Sequence, residues 1–211
     1  QGLVSLEEAE RLMGFCSNSG PAFLVGSIGA GVFGSARLGV GLYIIHVLAA
    51  AITGLFFRVD GKCRGNAPAA PRESGGALIE SVRQAAQSIL SVCGFIVCFC
   101  VIIGLLDAHG MFSLLAGQLA QITGLELHAA RAALSGFLEL GSGIGAMRGL
   151  AVSPANLAIA AGIVGWGGVS VHFQTYAVLA DSDIKGGLHL AGRLINCAVS
   201  ATLGYIFGLL L

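Results

Sequence analysis

Nineteen consecutive residues, Ser88–Leu106, carry no charge, and Asp107 closes the run. A helix of about 20 residues rises about 30 Å, the thickness of a hydrocarbon layer. Two more stretches, Leu38–Phe57 and Leu194–Leu211, also lack Lys, Arg, Asp and Glu. A chain that must house three such segments folds as helices in a membrane. A bilayer leaves backbone polar groups no water, so each segment has to satisfy its own.

Composition excludes the soluble alternative. Only 10% of the 211 residues are charged, 55% are hydrophobic, and the mean hydropathy is +0.87. Soluble domains carry roughly 25% charge. Eleven basic and eleven acidic residues give a formal net charge of zero. No basic face for nucleic acid is expected. Six cysteines include no CxxC pair, and Cys98 and Cys100 stand about 200° apart around a helix. They read as small membrane-helix residues, and neither a metal site nor a disulfide framework is expected.

The 33 glycines cluster where helices should break. Ser5 and Glu8 have capping-box spacing and open an amphipathic helix over 5–15. Asn18-Ser19-Gly20-Pro21 ends it. Ala22–Gly34 is apolar but short for a crossing, which suits one arm of a re-entrant hairpin. Leu38–Phe57 then spans. The loop 58–76 holds Arg58, Lys62, Arg64 and Arg72 and is expected on the cytoplasmic side. A helix from about Ala77 spans to Leu106, and a short piece covers Met111–Ile122. Leu127–Leu140 follows and is interrupted by Gly141-Ser142-Gly143 and Gly145. A helix restarts at Ser153-Pro154, with proline in its first turn. It runs into Gly165-Trp166-Gly167-Gly168, and Val169–Ala180 forms another short arm. A polar loop, Asp181–Gly187, precedes the last span, His189–Leu211.

The outline repeats weakly. Thr53-Gly54-Leu55-Phe56-Phe57 has a counterpart in Leu203-Gly204-Tyr205-Ile206-Phe207, which sets His46 against Asn196. The fold class is therefore all-α: a polytopic helical membrane protein with re-entrant or broken hairpins and a weak two-fold repeat. Three units are expected: a first half over 1–76, a central spanning and linker unit over 77–125, and a second half over 126–211.

Interrupted segments in both halves point to a solute site. Asn18, Ser19 and Gly20 sit at the first break, where free peptide groups suit an anion or form a plain interfacial turn. Glu139, with Ser142 after it, either holds a cation or proton, pairs with Arg148 or Arg193, or sits at headgroup level. Gly167 gives the second break. Ser170 and Gln174 share a helix face as solute contacts, with His172 opposite them. His46, Arg193 and Asn196 are polar groups inside spans. Arg193 either snorkels or, like His46, is a functional candidate, and Asn196 is read as a solute contact. No Walker A, HExxH or GxSxG occurs, and Gly29-Ala30-Gly31-Val32-Phe33-Gly34 lacks a βαβ context. No catalysis and no cofactor are expected.

Cys16-Ser17-Asn18-Ser19-Gly20-Pro21-Ala22-Phe23, with Gly26, Gly29 and Gly34, and Gly165-Trp166-Gly167-Gly168 through His172-Phe173-Gln174 resemble the YlbJ-type sporulation integral membrane proteins. Glu7-Glu8-Ala9-Glu10-Arg11 and Glu139-Leu140 look like that family too, and the resemblance covers most of 5–207. It implies membership of the nucleoside-recognition or Gate-domain group, alongside concentrative nucleoside transporters, ferrous-iron transporter gates and spore maturation proteins. It also implies movement of dipicolinic acid from mother cell toward forespore. Family members are longer at the N-terminus, so Gln1 is expected near mid-chain, in a fragment or a short form.

The expected function is alternating-access transport of a small anionic aromatic solute. A nucleoside or metal-ion transporter, or a non-transporting assembly or gating partner in sporulation, stands as the alternative. The expected partners are the bilayer, a solute, a coupling cation or proton, and either a second copy of the chain or missing N-terminal helices.

Overall fold

The structure, a computed structural model, describes residues 6–57, 77–180 and 182–211. The Ser5 cap, the basic loop 58–76 and Asp181 lie outside them. The described residues are helical throughout, with no strand among them. Helix α1 (Leu6–Cys16) precedes a π-wound arm, Ala22–Ala30, and α2 (Ala36–Phe56) follows. Next come α3 (Ala77–Ala108), α4 (Met111–Thr123), α5 (Leu127–Leu138) and α6 (Leu140–Ala146). The chain closes with α7 (Pro154–Trp166), α8 (Gly168–Leu179) and α9 (Gly187–Leu209).

Four stretches are long and apolar enough to cross a membrane: Ala36–Phe56, Leu78–Ala108, Pro154–Leu179 and Gly187–Leu209. They bury themselves very differently. Only 6% of the most apolar window of α3 is buried, against 67% for the window in Pro154–Leu179. Helix α3 is thus a peripheral helix that touches α8, α4 and α5, while the broken pair α7–α8 occupies the centre. The sequence reading set Val169–Ala180 apart as a short arm; it continues the α7 segment across a single glycine corner.

Small residues let α7 and α9 approach closely. A methyl on Gly204 would stand 2.8 Å from the Ala161 side chain, and one on Gly165 would stand 2.8 Å from the Asn196 carbonyl. With lipid on one side and protein on the other, backbone proximity replaces the hydrophobic drive available in water. Leu24, Ile28, Leu42, Leu157 and Val164 fill the space between the arm, α2 and α7.

The helix starts follow local chemistry. Ser153 Oγ accepts from Asn156 N–H at 3.2 Å, and Pro154 sits in the first turn of α7, as expected. Ser35 caps α2 in the same way, accepting from Leu38 N–H. The interruption expected at Gly141–Gly145 is displaced. The chain breaks at Glu139, which is extended at φ −142° and ψ 121°, and Gly141, Ser142, Gly143 and Gly145 are helical in α6. The glutamate starts that helix itself, and Gly143 lies against the backbone of Gly136, where a side chain would have no room.

Candidate functional site

The centre of the molecule is the corner at Gly167 and Gly168. Both have positive φ, 89° and 84°, a region that side chains avoid. A methyl on Gly168 would lie 2.9 Å from Leu140 N and 3.2 Å from Glu139 Cα. The breaks α5–α6 and α7–α8 therefore face each other across one glycine.

Breaking α7 frees the four carbonyls of its last turn, and each has a partner. Ile163 O accepts from Gly167 N–H at 2.8 Å. Arg193 donates to Val164 O through Nη2 at 2.9 Å and to Trp166 O through Nε at 3.1 Å. Asn196 Nδ2 donates to Gly165 O at 3.3 Å. Two side chains of α9 thus cap α7 from the side. Arg193 also reaches the first break, donating through Nη1 to Ser17 O at 2.6 Å.

Of the alternatives open to Arg193, its burial excludes snorkelling. It is 3% exposed, and no acidic group lies within 4 Å of it among the described residues. Holding arginine at the centre of a spanning helix costs about 2.5–3.5 kcal/mol on insertion scales. Charge-assisted hydrogen bonds contribute about 1.5–3 kcal/mol each, so three suffice to offset that cost. The helix ends supply more, since the negative poles of α1 and α7 face the cation.

Glu139 is the opposite case. It is 3% exposed, and its carboxylate accepts from Gly141 N–H at 2.8 Å and Ser142 N–H at 2.5 Å. An anion at a helix N-terminus is favourable without a cation. The pairing with Arg148 or Arg193 weighed from sequence is not formed.

The other candidates divide around these two. Ser19 N–H donates to His46 Nε2 at 3.0 Å, which fixes the first break to α2. Asn18 turns outward and donates to Phe15 O at 2.9 Å, and Gly20 is exposed. Gln174 Nε2 donates to Ser170 Oγ at 3.1 Å, the shared face expected. His172 points the other way, with its ring 4.3 Å from that of Trp166 and Nδ1 3.2 Å from His189 Nε2. Ser142 lies apart from this group, with Oγ 3.4 Å from Cys100 Sγ on α3.

His189 was missed in the sequence. The signal was present: His189, Arg193, Asn196 and Ser200 follow at spacings of four, three and four, one stripe on α9, and all four are buried. Several atoms of this interior keep no hydrogen-bond partner among the described residues: Asn196 Oδ1, Ser200 Oγ, His46 Nδ1, Thr53 Oγ1 and His172 Nε2. Beside them, between α1 and α8, opens a cleft of about 400 Å³ lined by Met13, Cys16, Ser17, Thr175 and His189. That size falls in the range of small-molecule pockets. No group of three metal-ligating side chains occurs among the described residues.

No family model matches the sequence, and no solved structure matches it. The chain is 29% identical over 229 aligned positions to the sporulation integral membrane protein YlbJ of Bacillus subtilis (strain 168). The alignment covers 94% of this chain and 55% of that protein, so the chain spans little more than half of its relative's length. The four apolar helices and an integral-membrane relative make this a multi-pass membrane protein, and the likeness along nearly its whole length supports a YlbJ-type family.

Proposed function

We propose that the protein moves a small anionic aromatic solute, dipicolinic acid being the example, across a membrane during sporulation. The observation that carries the reading is the lone buried guanidinium of Arg193, which fastens two helix breaks and has no acidic group within 4 Å among the described residues. A cation compensated only by carbonyl dipoles keeps a positive field for an anion in low dielectric. The cleft of about 400 Å³ reaches the same break through Ser17, whose carbonyl Arg193 holds, and is lined by His189 one turn along α9 from Arg193. Broken helices facing one another are the parts that alternating access uses, one packed unit rocking against another. The paired placement of His46 and Asn196, each bonded beside a break, fits an internal two-fold repeat.

The experiment is uptake of labelled dipicolinate into liposomes holding the whole chain. Saturable uptake that is lost in Thr175→Trp, which fills the cleft, supports the reading. Competition by nucleosides or divalent ions, with no effect of dipicolinate, moves the substrate class to those solutes.

A second reading is a non-transporting membrane assembly or gating partner. It is favoured by α3, whose apolar side chains stand free nearly all round. Absence of flux for every solute, with stable recovery of a partner membrane protein, supports that role.

A further inference from the structure

His189 and His172 form a hydrogen-bonded chain whose protons can be placed without seeing them. His189 Nδ1 lies 3.2 Å from Met13 O, and a carbonyl only accepts. Nδ1 of His189 therefore carries the hydrogen. In the neutral ring its Nε2 is then an acceptor, and His172 Nδ1 donates to it at 3.2 Å. That leaves Nε2 of His172 as a bare lone pair. It is buried and has no partner among the described residues. An unmet acceptor in a buried ring is a standing cost, which a proton or a donor would remove.

We propose that His172 and His189 together bind the proton that accompanies the solute. The inference rests on the transport reading and names its coupling ion. A proton from water bonds to Nε2 of His172. The hydrogen on Nδ1 of His172 passes to Nε2 of His189 along the existing hydrogen bond. His172 ends neutral with its hydrogen on Nε2, and His189 ends as the cation, still donating from Nδ1 to Met13 O. One proton is gained, none is lost, and no hydrogen bond of the chain is broken. His189 lines the cleft beside Ser17, so the added charge is held where the solute would lie.

Arg193 stands one turn along α9 from His189, and a second cation beside it is opposed by like-charge repulsion. An anion in the cleft cancels that opposition, so solute and proton favour each other's binding. Among the described residues, the titratable groups that the structure places against the pair are Tyr176 on α8, with its ring 6.3 Å from that of His189, and Cys16 on α1, which lines the same cleft. From α7 the pair meets Trp166, which does not titrate.

Two measurements on the whole chain in lipid nanodiscs test this. Nitrogen NMR of ring-labelled histidine should show both residues, in the neutral state, with hydrogen on Nδ1, the minor form of free imidazole. In weak buffer with a pH dye, dipicolinate binding should take up about one proton per solute. His189→Gln, which takes away the ring that ends as the cation, should remove that uptake. Dipicolinate binding with no proton uptake, or hydrogen on Nε2 of neutral His172, overturns the pair and leaves the transport reading standing. Absence of dipicolinate binding in a folded sample overturns dipicolinate as the solute and the coupling with it. The NMR measurement needs no variant, so a misfolded His189→Gln does not spare the inference.

Discussion

Nη1 of Arg193 donates to the backbone carbonyl of Ser17 at 2.6 Å, joining residues 176 positions apart. The same guanidinium holds the end of α7, so one side chain fixes the relation between the N-terminal break and the glycine corner. Replacing it by alanine strands carbonyls at two helix ends in a dry interior. Each stranded group costs about 1–3 kcal/mol. Arg193→Ala should therefore lower unfolding free energy by more than about 3 kcal/mol, while Arg193→Lys, which keeps the charge but not the planar fork, should lose less. Denaturant titration in detergent reads both. Equal stability of Arg193→Ala and the parent would mean that the guanidinium does not hold these helices.

Glycine at the corner is a separate demand. Gly167→Ala and Gly168→Ala each force a side chain into left-handed backbone, at about 1–2 kcal/mol; the methyl at Gly167 meets the side-chain end of Arg193 at 3.1 Å, and the one at Gly168 meets the less yielding backbone of Leu140 at 2.9 Å and Glu139 at 3.2 Å. Gly168→Ala should be the more harmful. Gly104→Ala is the control, because a methyl there meets nothing within 4 Å. Thermal unfolding should rank Gly104→Ala near the parent, then Gly167→Ala, then Gly168→Ala. A harmless Gly168→Ala would mean that the two breaks do not touch.

How much of this could be read in the sequence depends on what each residue reports. Spans 38–57 and 88–106 were legible because length and missing charge are one-dimensional facts. The corner at Gly167 was legible because three glycines around one tryptophan have no use inside a straight helix. The place of Arg193 stayed open because distance from a helix end says nothing about which face is inward; that depends on α7 packing along α9. His189 escaped because it was taken as the edge of a span rather than as one member of an i, i+4 stripe. Glu139 stood out as a carboxylate at a helix break, yet the sequence could not choose between a distant arginine and the amides two and three residues on.

That choice is testable. If Glu139 is the cap of α6, Glu139→Gln keeps one acceptor oxygen for two N–H donors and loses the charge at the helix N-terminus. Loss of a cap costs about 0.5–2 kcal/mol. Stability should fall by that amount, equally in sodium, potassium and choline chloride. A stability difference that appears only with one cation would instead make Glu139 an ion ligand.

Helix α3 offers the sharpest check on the orientation of the whole bundle in a bilayer. Cys98 is exposed on a helix whose most apolar window is only 6% buried, so its thiol should face lipid. Thiol reagents act on the thiolate, and a charged reagent cannot enter hydrocarbon. In a variant keeping Cys98 as its single cysteine, a charged methanethiosulfonate should leave the nanodisc sample unmodified, while a small apolar maleimide should label it slowly. Rapid modification by the charged reagent would place this face of α3 on water and remove it from the lipid boundary. Protection from both reagents would mean that another helix or a second copy covers α3.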